Sequence, residues 1–583
     1  MTTKSLITIL VLLINYSFLP FCLVAQQRLE SNSRSSTPIF KEVAEEVGLK
    51  FQHYNGMTGK FYLPEITGSG AALFDFDNDG DLDVFLVQGN VLEPNTKPGD
   101  TLFPWRGSQV PQGKLFRNDL RNHQLSFTDV TQQSGIVANG YGMGVAVGDI
   151  NNDGLPDLYL TNLGSNQMYL NKGNGKFVDV TKESGTDDPR WSTSATFFDY
   201  DRDGWLDLMV VNYADFSVTN SPNCYGATTA RDYCTPRVFR APGNRLFHNK
   251  GNGTFEDVTV AAGIDKEFGH GLGIVTADFN DDGWTDIYVA NDGDPNQLWI
   301  NQKNGTFSND ALLAGAAINR NGQAEAGMGV DAGDFDGNGT DDIFVTHLMD
   351  ETNTLYTNMS QTLFEDRTRE AGLGMPGRRF TGFGTLFFDY DNDGWLDLFI
   401  ANGAVQLLPD LVRKKDPFPL GQPNQLFHNT GKGSFVEVTD QAGPELQLIE
   451  VSRGAAFGDV DNDGDIDVLV TNNNGPARLY LNQIGNRNHW LGLRVIGKSG
   501  RDMLGAHIEI VVSEKNILRR RARTDGSYLS ANDPRVIVGL GSASHVQTVR
   551  VRWPDGSVEE WKDLVADRYV SLKQGTASPL HKQ

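Results

Sequence analysis

The sequence predicts an all-β chain: a closed ring of seven four-stranded sheets, a seven-bladed β-propeller, followed by a small C-terminal β domain. Three observations predict it. A nine-residue acidic pattern recurs seven times along the 583 residues. Between copies lie short segments rich in β-branched and aromatic residues, divided by Gly, Asn and Asp turns. The repeat spans roughly 50 residues, the length of a four-stranded propeller blade.

The acidic copies are "DFDNDGDLD" from Asp75, "DINNDGLPD" from Asp149, "DYDRDGWLD" from Asp199 and "DFNDDGWTD" from Asp278. "DFDGNGTDD" follows from Asp334, "DYDNDGWLD" from Asp389 and "DVDNDGDID" from Asp459. Around each copy the unit reads alike. A small-residue apolar run such as "GMGVAVGD" (142–149) comes before, and a hydrophobic stretch such as "LYLTN" comes after. Next stand "LWIN" (298–301), "LFHN" (426–429) or "LYLN" (479–482), and last "FTDVT" at 127, "FVDVT" at 177, "FEDVT" at 255 or "FVEVT" at 435. The first such last-strand motif, "FKEVAEEVGL" (40–49), precedes every acidic copy, whereas the seventh unit ends at "LYLN". The N-terminal strand is therefore expected to complete the last blade and remove an exposed sheet edge. No unit has helical periodicity of useful length, which excludes a helical solenoid.

Oxygen donors at positions 1, 3 and 5, Gly at 6 and a carbonyl at 7 suit Ca2+, which takes 6–8 hard ligands. An EF-hand would add Glu at position 12, but that position holds Leu86 and Leu160 in the first two copies. Aspartate stands at position 9 instead. The candidate metal ligands are thus Asp75, Asp77, Asp79, Asp81 and Asp83; Asp149, Asn151, Asp153, Leu155 and Asp157; Asp199, Asp201, Asp203, Trp205 and Asp207; and Asp278, Asn280, Asp282, Trp284 and Asp286. Asp334, Asp336, Asn338, Thr340 and Asp342 follow, then Asp389, Asp391, Asp393, Trp395 and Asp397, and finally Asp459, Asp461, Asp463, Asp465 and Asp467. About seven ions, mainly structural, are expected. A metal-free acidic turn explains one such loop; seven in register argue against it.

The formal charge of −24 argues against nucleic acid as a partner, because phosphate selects Lys and Arg. Residues 1–25 read as an export signal: Lys4, an apolar "LITILVLLINYSFLPFCLVA" and a small Ala25. A retained anchor is the competing reading. No later segment is apolar enough to span a membrane. A polar linker is expected over 26–37, the propeller over 38–485, the β domain over 486–575 and a tail over 576–583. In an exported chain Cys224 and Cys234, ten residues apart, suit a local disulfide; a zinc pair is the weaker alternative. Insertions near 91–112, 213–243 and 403–423 are either recognition loops or surface elaboration.

After Asn482 the pattern becomes alternating strands, including "HWLGLRVIG" (489–497), "LGAHIEIVV" (504–512) and "VQTVRVRWPDGSVEEW" (546–561), with tight turns expected at 525–526 and 555–556. "GLRVIGKS" (492–499) satisfies a phosphate-loop pattern, but it sits in an alternating strand and no amphipathic helix follows. Arg519, Arg520, Arg521 and Arg523 could bind an anionic glycan or surface carboxylates, though a solvated strand-and-turn face is the expectation.

The acidic loops resemble those of FG-GAP or VCBS repeats, the units of integrin-alpha propellers, over residues 38–485. Gly505-Ala506, the run from Asp525 to Ser530, Gly539-Leu540-Gly541 and the run from Trp553 to Gly556 resemble the ASPIC/UnbV domain of the cartilage acidic protein family. The chain departs from that domain's common Asn-Arg-Asp-Gly-Ile-Gly-Ala run with "GRDMLGA" (500–506). The leading reading is an exported calcium-binding interaction protein whose loops meet a glycan, matrix or protein ligand. The alternative is a polysaccharide lyase-like enzyme, which needs histidines such as His248, His270, His347 and His428 to converge; the shared repeat position of His248 and His428 argues for structural roles. A structural envelope component is a third.

Overall fold

The computed structural model describes residues 37–122, 124–226, 230–360 and 362–579; the expected signal peptide lies outside the described residues. Seven four-stranded antiparallel sheets are present. In blade 1 the strands are Ala71–Phe74, Asp83–Leu86, Lys114–Asn118 and Phe127–Asp129. The other innermost strands are Tyr141–Gly148, Ser192–Phe198, Gly271–Ala277, Val330–Gly333, Gly382–Phe388 and Ser452–Gly458. These touch one another in cyclic order, the last meeting the first. The ring is closed as expected: Phe40–Glu42 pairs with Arg478–Asn482 of blade 7, Phe40 opposite Asn482.

The repeated motifs have local causes. Small residues in the inner strands let neighbouring blades approach at the axis. A Cβ on Gly329 would stand 2.0 Å from the Phe383 carbonyl oxygen, so only glycine fits there. The "DVT" ending starts a one-turn helix. In blade 1 the Thr131 hydroxyl donates to Asp129 at 2.7 Å and accepts the Leu115 amide at 3.0 Å. Gly135 then ends the turn in the left-handed region at φ 83°. Apolar side chains of adjacent blades pack into shared layers, for example Val147 and Leu158 of blade 2 with Phe74 and Phe85 of blade 1. Burial of this kind, at about 25 cal/mol per Å2, is the main stabilising term of each junction.

From Ile39 onward the chain is one compact unit rather than two separate bodies. The C-terminal strands form a three-stranded sheet (Val536–Gly541, His489–Ile496, Arg568–Lys573) and a five-stranded one (Asn516–Arg521, His507–Ser513, His545–Arg552, Val558–Val565, Ser578–Pro579). The last pairing carries the sheet past residue 575, where the sequence suggested its end. The turn at 555–556 joins two paired strands, as expected. The one at 525–526 does not. Residues 524–532, "TDGSYLSAN", instead enter the hole of the ring, where Tyr528 and Leu529 are fully buried.

This plug meets the inner strands of every blade. Ala531 donates to Ala71, Val145 donates to Leu529, and Leu529 donates to the Ser194 hydroxyl. The Asp525 carboxylate accepts the Thr276 amide at 2.7 Å, and Val330 donates to the Ser527 carbonyl. Tyr528 packs edge-on against Phe383, while Ser527 donates to Ala455 at 2.7 Å. Arg523, beside the plug, forms an ion pair with Asp331, whose carboxylate also accepts the Phe387 amide at 2.7 Å. The core of the ring is thus finished by a segment that belongs to no blade.

Candidate functional site

Each acidic loop connects an inner strand to the second strand of its blade, so all seven lie on one face of the ring. Backbone amides pre-arrange the carboxylates. In every loop the Gly at position 6 donates to the position-1 aspartate, at 2.7–3.1 Å. Position 4 is left-handed in every loop, from Asp281 at φ 52° to Gly337 at 73°, which is why Asn recurs there. The amides of Asn78, Asn152, Asn392 and Asn462 donate onward to the position-6 carbonyl of the next loop, at 2.8–3.4 Å. Arg202 makes the same bond to Gly283.

The buried position-9 aspartates brace the strands. Each accepts a backbone amide from the Asn that ends "LYLN" or its equivalent, at 2.7–2.8 Å. The side chains of those residues, Asn118, Asn171, Asn249, Asn301, Asn358, Asn429 and Asn482, donate to the position-2 carbonyl of the preceding loop, at 2.7–2.9 Å. Sequence reading quoted this motif but missed the role. The signal was available: an invariant Asn at the end of each third strand, where a solvent-facing polar residue would drift.

The loop carboxylates are held in an environment that wants a cation. Burial, above all, pushes Asp75, Asp334 and Asp459 up to about 6 and Asp199 up to about 7. Asp83 rises to about 9 for the same reason. Buried oxygens of Asp77, Asp199, Asp334, Asp391, Asp461 and Asp465 have no hydrogen-bond partner. Groups of three donors lie within 4.8 Å of one another, including Asp199 with Asp201 and Asp203, and Asp334 with Asp336 and Asp342. Hard oxygen donors, closely set and short of partners, fit a divalent cation.

The C-terminal domain covers this face. Arg552 reaches Asp278 at 3.0 Å and Arg494 lies 3.8 Å from Asp75. The Tyr569 hydroxyl donates to Asp459 at 2.6 Å. Arg501 and Arg520 donate to the position-6 carbonyls Gly204 and Gly394, at 3.1 and 2.9 Å. Gly394 is the carbonyl that loop 5 cannot reach, because its position 4 is Gly337. The expected solvated face for Arg519 to Arg523 is therefore corrected: Arg520, Arg521 and Arg523 each reach the ring, at Gly394, Asp341 and Asp331, which sequence periodicity could not reveal.

The opposite face is built from unlike pieces. The three insertions converge: Phe103 packs on Phe418 with ring centres 5.9 Å apart, and the Leu407 amide donates to Asp232 at 3.3 Å. The segment before blade 1 joins them, Phe61 on Tyr233 at 5.1 Å and Tyr62 on Phe216 at 6.0 Å. The Cys224–Cys234 disulfide is formed within the second insertion. Beside this roof opens a cavity of about 870 Å3, walled by residues such as Tyr213, Asp292, Arg237 and Arg378 and floored by Phe383 and Tyr528. The Tyr213 hydroxyl donates to Asp292 at 2.6 Å, and burial first, then Asp292, raises its pKa well above the ordinary value. The four histidines do not converge. His248 and His428 sit 3.2 Å from the position-9 aspartates Asp207 and Asp397 on the loop face. His270 bonds Asp294 at 2.7 Å and His347 faces the Thr352 carbonyl at 2.8 Å, both at the other end of the ring.

A closed all-β ring with repeated acidic strand–loop–strand turns defines a β-propeller built from acidic-loop repeats. The chain belongs to the FG-GAP-like repeat family, which matches residues 75–160, 149–210, 238–289, 278–345, 334–400 and 408–470. ASPIC and UnbV matches 497–579. The chain is 25% identical to cartilage acidic protein 1 of Homo sapiens over 495 residues, covering 84% of this chain and 60% of that one. It is likewise 25% identical to the Mus musculus protein over 399 residues, 66% and 57% of the two chains. It thus spans less than two thirds of these relatives' length. Among solved structures, an Agrocybe aegerita lectin that recognises non-reducing terminal N-acetylglucosamine aligns at TM-score 0.36 and 16% identity, over 64% of this chain and 79% of that one. BBS1N from its complex with ARL6DN aligns at 0.36 and 11%, over 75% and 97%.

Proposed function

We propose that this is an exported, calcium-braced interaction protein of the integrin-like adhesion type. Each loop would take one Ca2+ through its position-1, -3, -5 and -9 side chains and the position-7 carbonyl. The ion supplies positive charge that buried carboxylates lack. Its work is structural: binding to the folded ring alone stabilises it by mass action, about 2.7 kcal/mol per site at a hundredfold excess over Kd. The observation that supports this most is the set of buried, partnerless carboxylate oxygens in the loops.

The main ligand side is then the face with the converging insertions, since the C-terminal domain covers much of the loop face. A glycan, matrix or protein ligand would meet the roof and the cavity beside it. The extracellular setting rests on the likeness to cartilage acidic protein 1, the disulfide and the apolar N-terminal segment. Calorimetric melting with calcium and with chelator tests the proposal. Chelation should lower Tm by about ten degrees or more, since several sites are lost together and each kcal/mol is worth about 1 °C in a chain this large. A melting curve indifferent to chelator would overturn it.

A further inference from the structure

One face of the five-stranded C-terminal sheet carries a grid of arginines. Pairing aligns Arg519, Glu509 and Arg550 in one cross-strand row, and Arg521, His507 and Arg552 in the next. Residues two apart in a strand share a face, so four arginines stand on the outer two of three strands, around Glu509 and His507. This face overhangs loops 4 and 5, with a cavity of about 730 Å3 between them.

Arg521 is the buried member. Its side chain is 6% exposed and its Nη1 donates to Asp341 at 2.5 Å. Its Nε and Nη2 have no partner, and neither does Nε of neighbouring Arg520. Leaving buried guanidinium donors unpaired is costly, more so because the group is charged. Arg519 and Arg550 share Glu509, at 3.6 and 2.6 Å, and Arg550 also bonds Glu560 at 2.9 Å. His507 reports the same field: burial first, then Arg552, pushes it down to about 3.

We propose that this cleft binds a tetrahedral oxyanion, the sulfate or phosphate of an ester, with Arg521 at its centre and Arg519, Arg550 and Arg552 around it. The inference rests on the calcium reading. Arginines and carboxylates lining the cleft match in number, five and five, so ions in loops 4 and 5 tip it to net positive. Donors approach from two strands either side of a third. A planar carboxylate engages one guanidinium fork, whereas an oxyanion with three free oxygens takes donors from several directions.

The test uses the full chain and a fluorescein-labelled heparin oligosaccharide, read by anisotropy at physiological salt in millimolar calcium. Inorganic sulfate, inorganic phosphate and the desulfated oligosaccharide compete in separate arms. Binding should need calcium and should weaken at least about tenfold, 1.4 kcal/mol, in Arg521→Gln. The double variant Arg519→Gln/Arg550→Gln, at side chains 40% and 43% exposed, keeps the fold and should lose a similar factor. Displacement by phosphate as well as sulfate marks the oxyanion itself as the ligand; displacement by sulfate alone marks the sulfate ester. Equal competition by the desulfated sugar, or full binding by the double variant, overturns the site. Calcium uptake, measured calorimetrically on the same samples, separates the two readings. Absent uptake sinks the calcium assignment, and uptake without oxyanion binding sinks the cleft alone.

Discussion

On the loop face one nine-residue device is used seven times; on the opposite face the connections differ widely in length, from the short turn between Leu163 and Gln167 to the span between Asn212 and Arg245. Both are lined by polar and aromatic side chains, yet the forces differ. The loop face is held by directed bonds that pass from blade to blade: position-1 carboxylates on glycine amides, and third-strand asparagines on neighbouring carbonyls. The opposite face is held by apolar packing of insertions that meet only because the ring brings them together. Repetition marks where geometry must be reproduced. Variation marks where a particular partner can be met.

The largest expected effect tests the join between the two. Asp331→Ala strands Arg523 beside the plug, and breaking such a buried pair costs about 3–5 kcal/mol. Urea denaturation should show that loss, and an unchanged midpoint would mean the plug contributes little. Next, Cys224→Ser with Cys234→Ser should cost about 2–4 kcal/mol at most and leave calcium affinity unaltered. A shift in the calcium isotherm would erase the distinction between the faces.

Asn171→Ala removes donors to the Phe76 and Pro156 carbonyls, for about 1–3 kcal/mol. Unlike the cysteine pair, it should weaken calcium binding too. Smallest per loop is the response to pH. The folded-state pKa values of Asp75, Asp334 and Asp459 lie at about 6, above the ordinary 3.8. Their contribution is therefore greatest at low pH and is lost as pH rises from about 4 through 6. In chelator, Tm should fall across that window; in calcium the slope should flatten. A rising Tm in chelator would contradict the burial of these groups without a counter-ion.

Much of the loop face was legible in the sequence. The Asp–x–Asp spacing, the strand-rich segments and the stray last-strand motif at 40–49 each specify a local conformation, so reading them required no distant partner. The disulfide was legible for the same reason, its cysteines being ten residues apart. The rest depended on contacts across hundreds of residues. "TDGSYLSAN" has neither period nor apolar run. It is ordered by seven inner strands, and the 1.7 Å gap between a Cβ on Gly70 and the Leu529 carbonyl shows how closely the ring is cut to it. The arginines looked like any basic strand because their carboxylates belong to other blades. Converging insertions are invisible to a reading that takes each loop singly.

The pairing of Phe40 with Asn482 also orders events in time. A strand made at the start of synthesis must wait, unpaired, until all seven units have emerged, and the hole is filled only when residue 528 follows. Such late, long-range closure is slow to fold. Any chain released before that point would carry both an open sheet edge and a hollow centre.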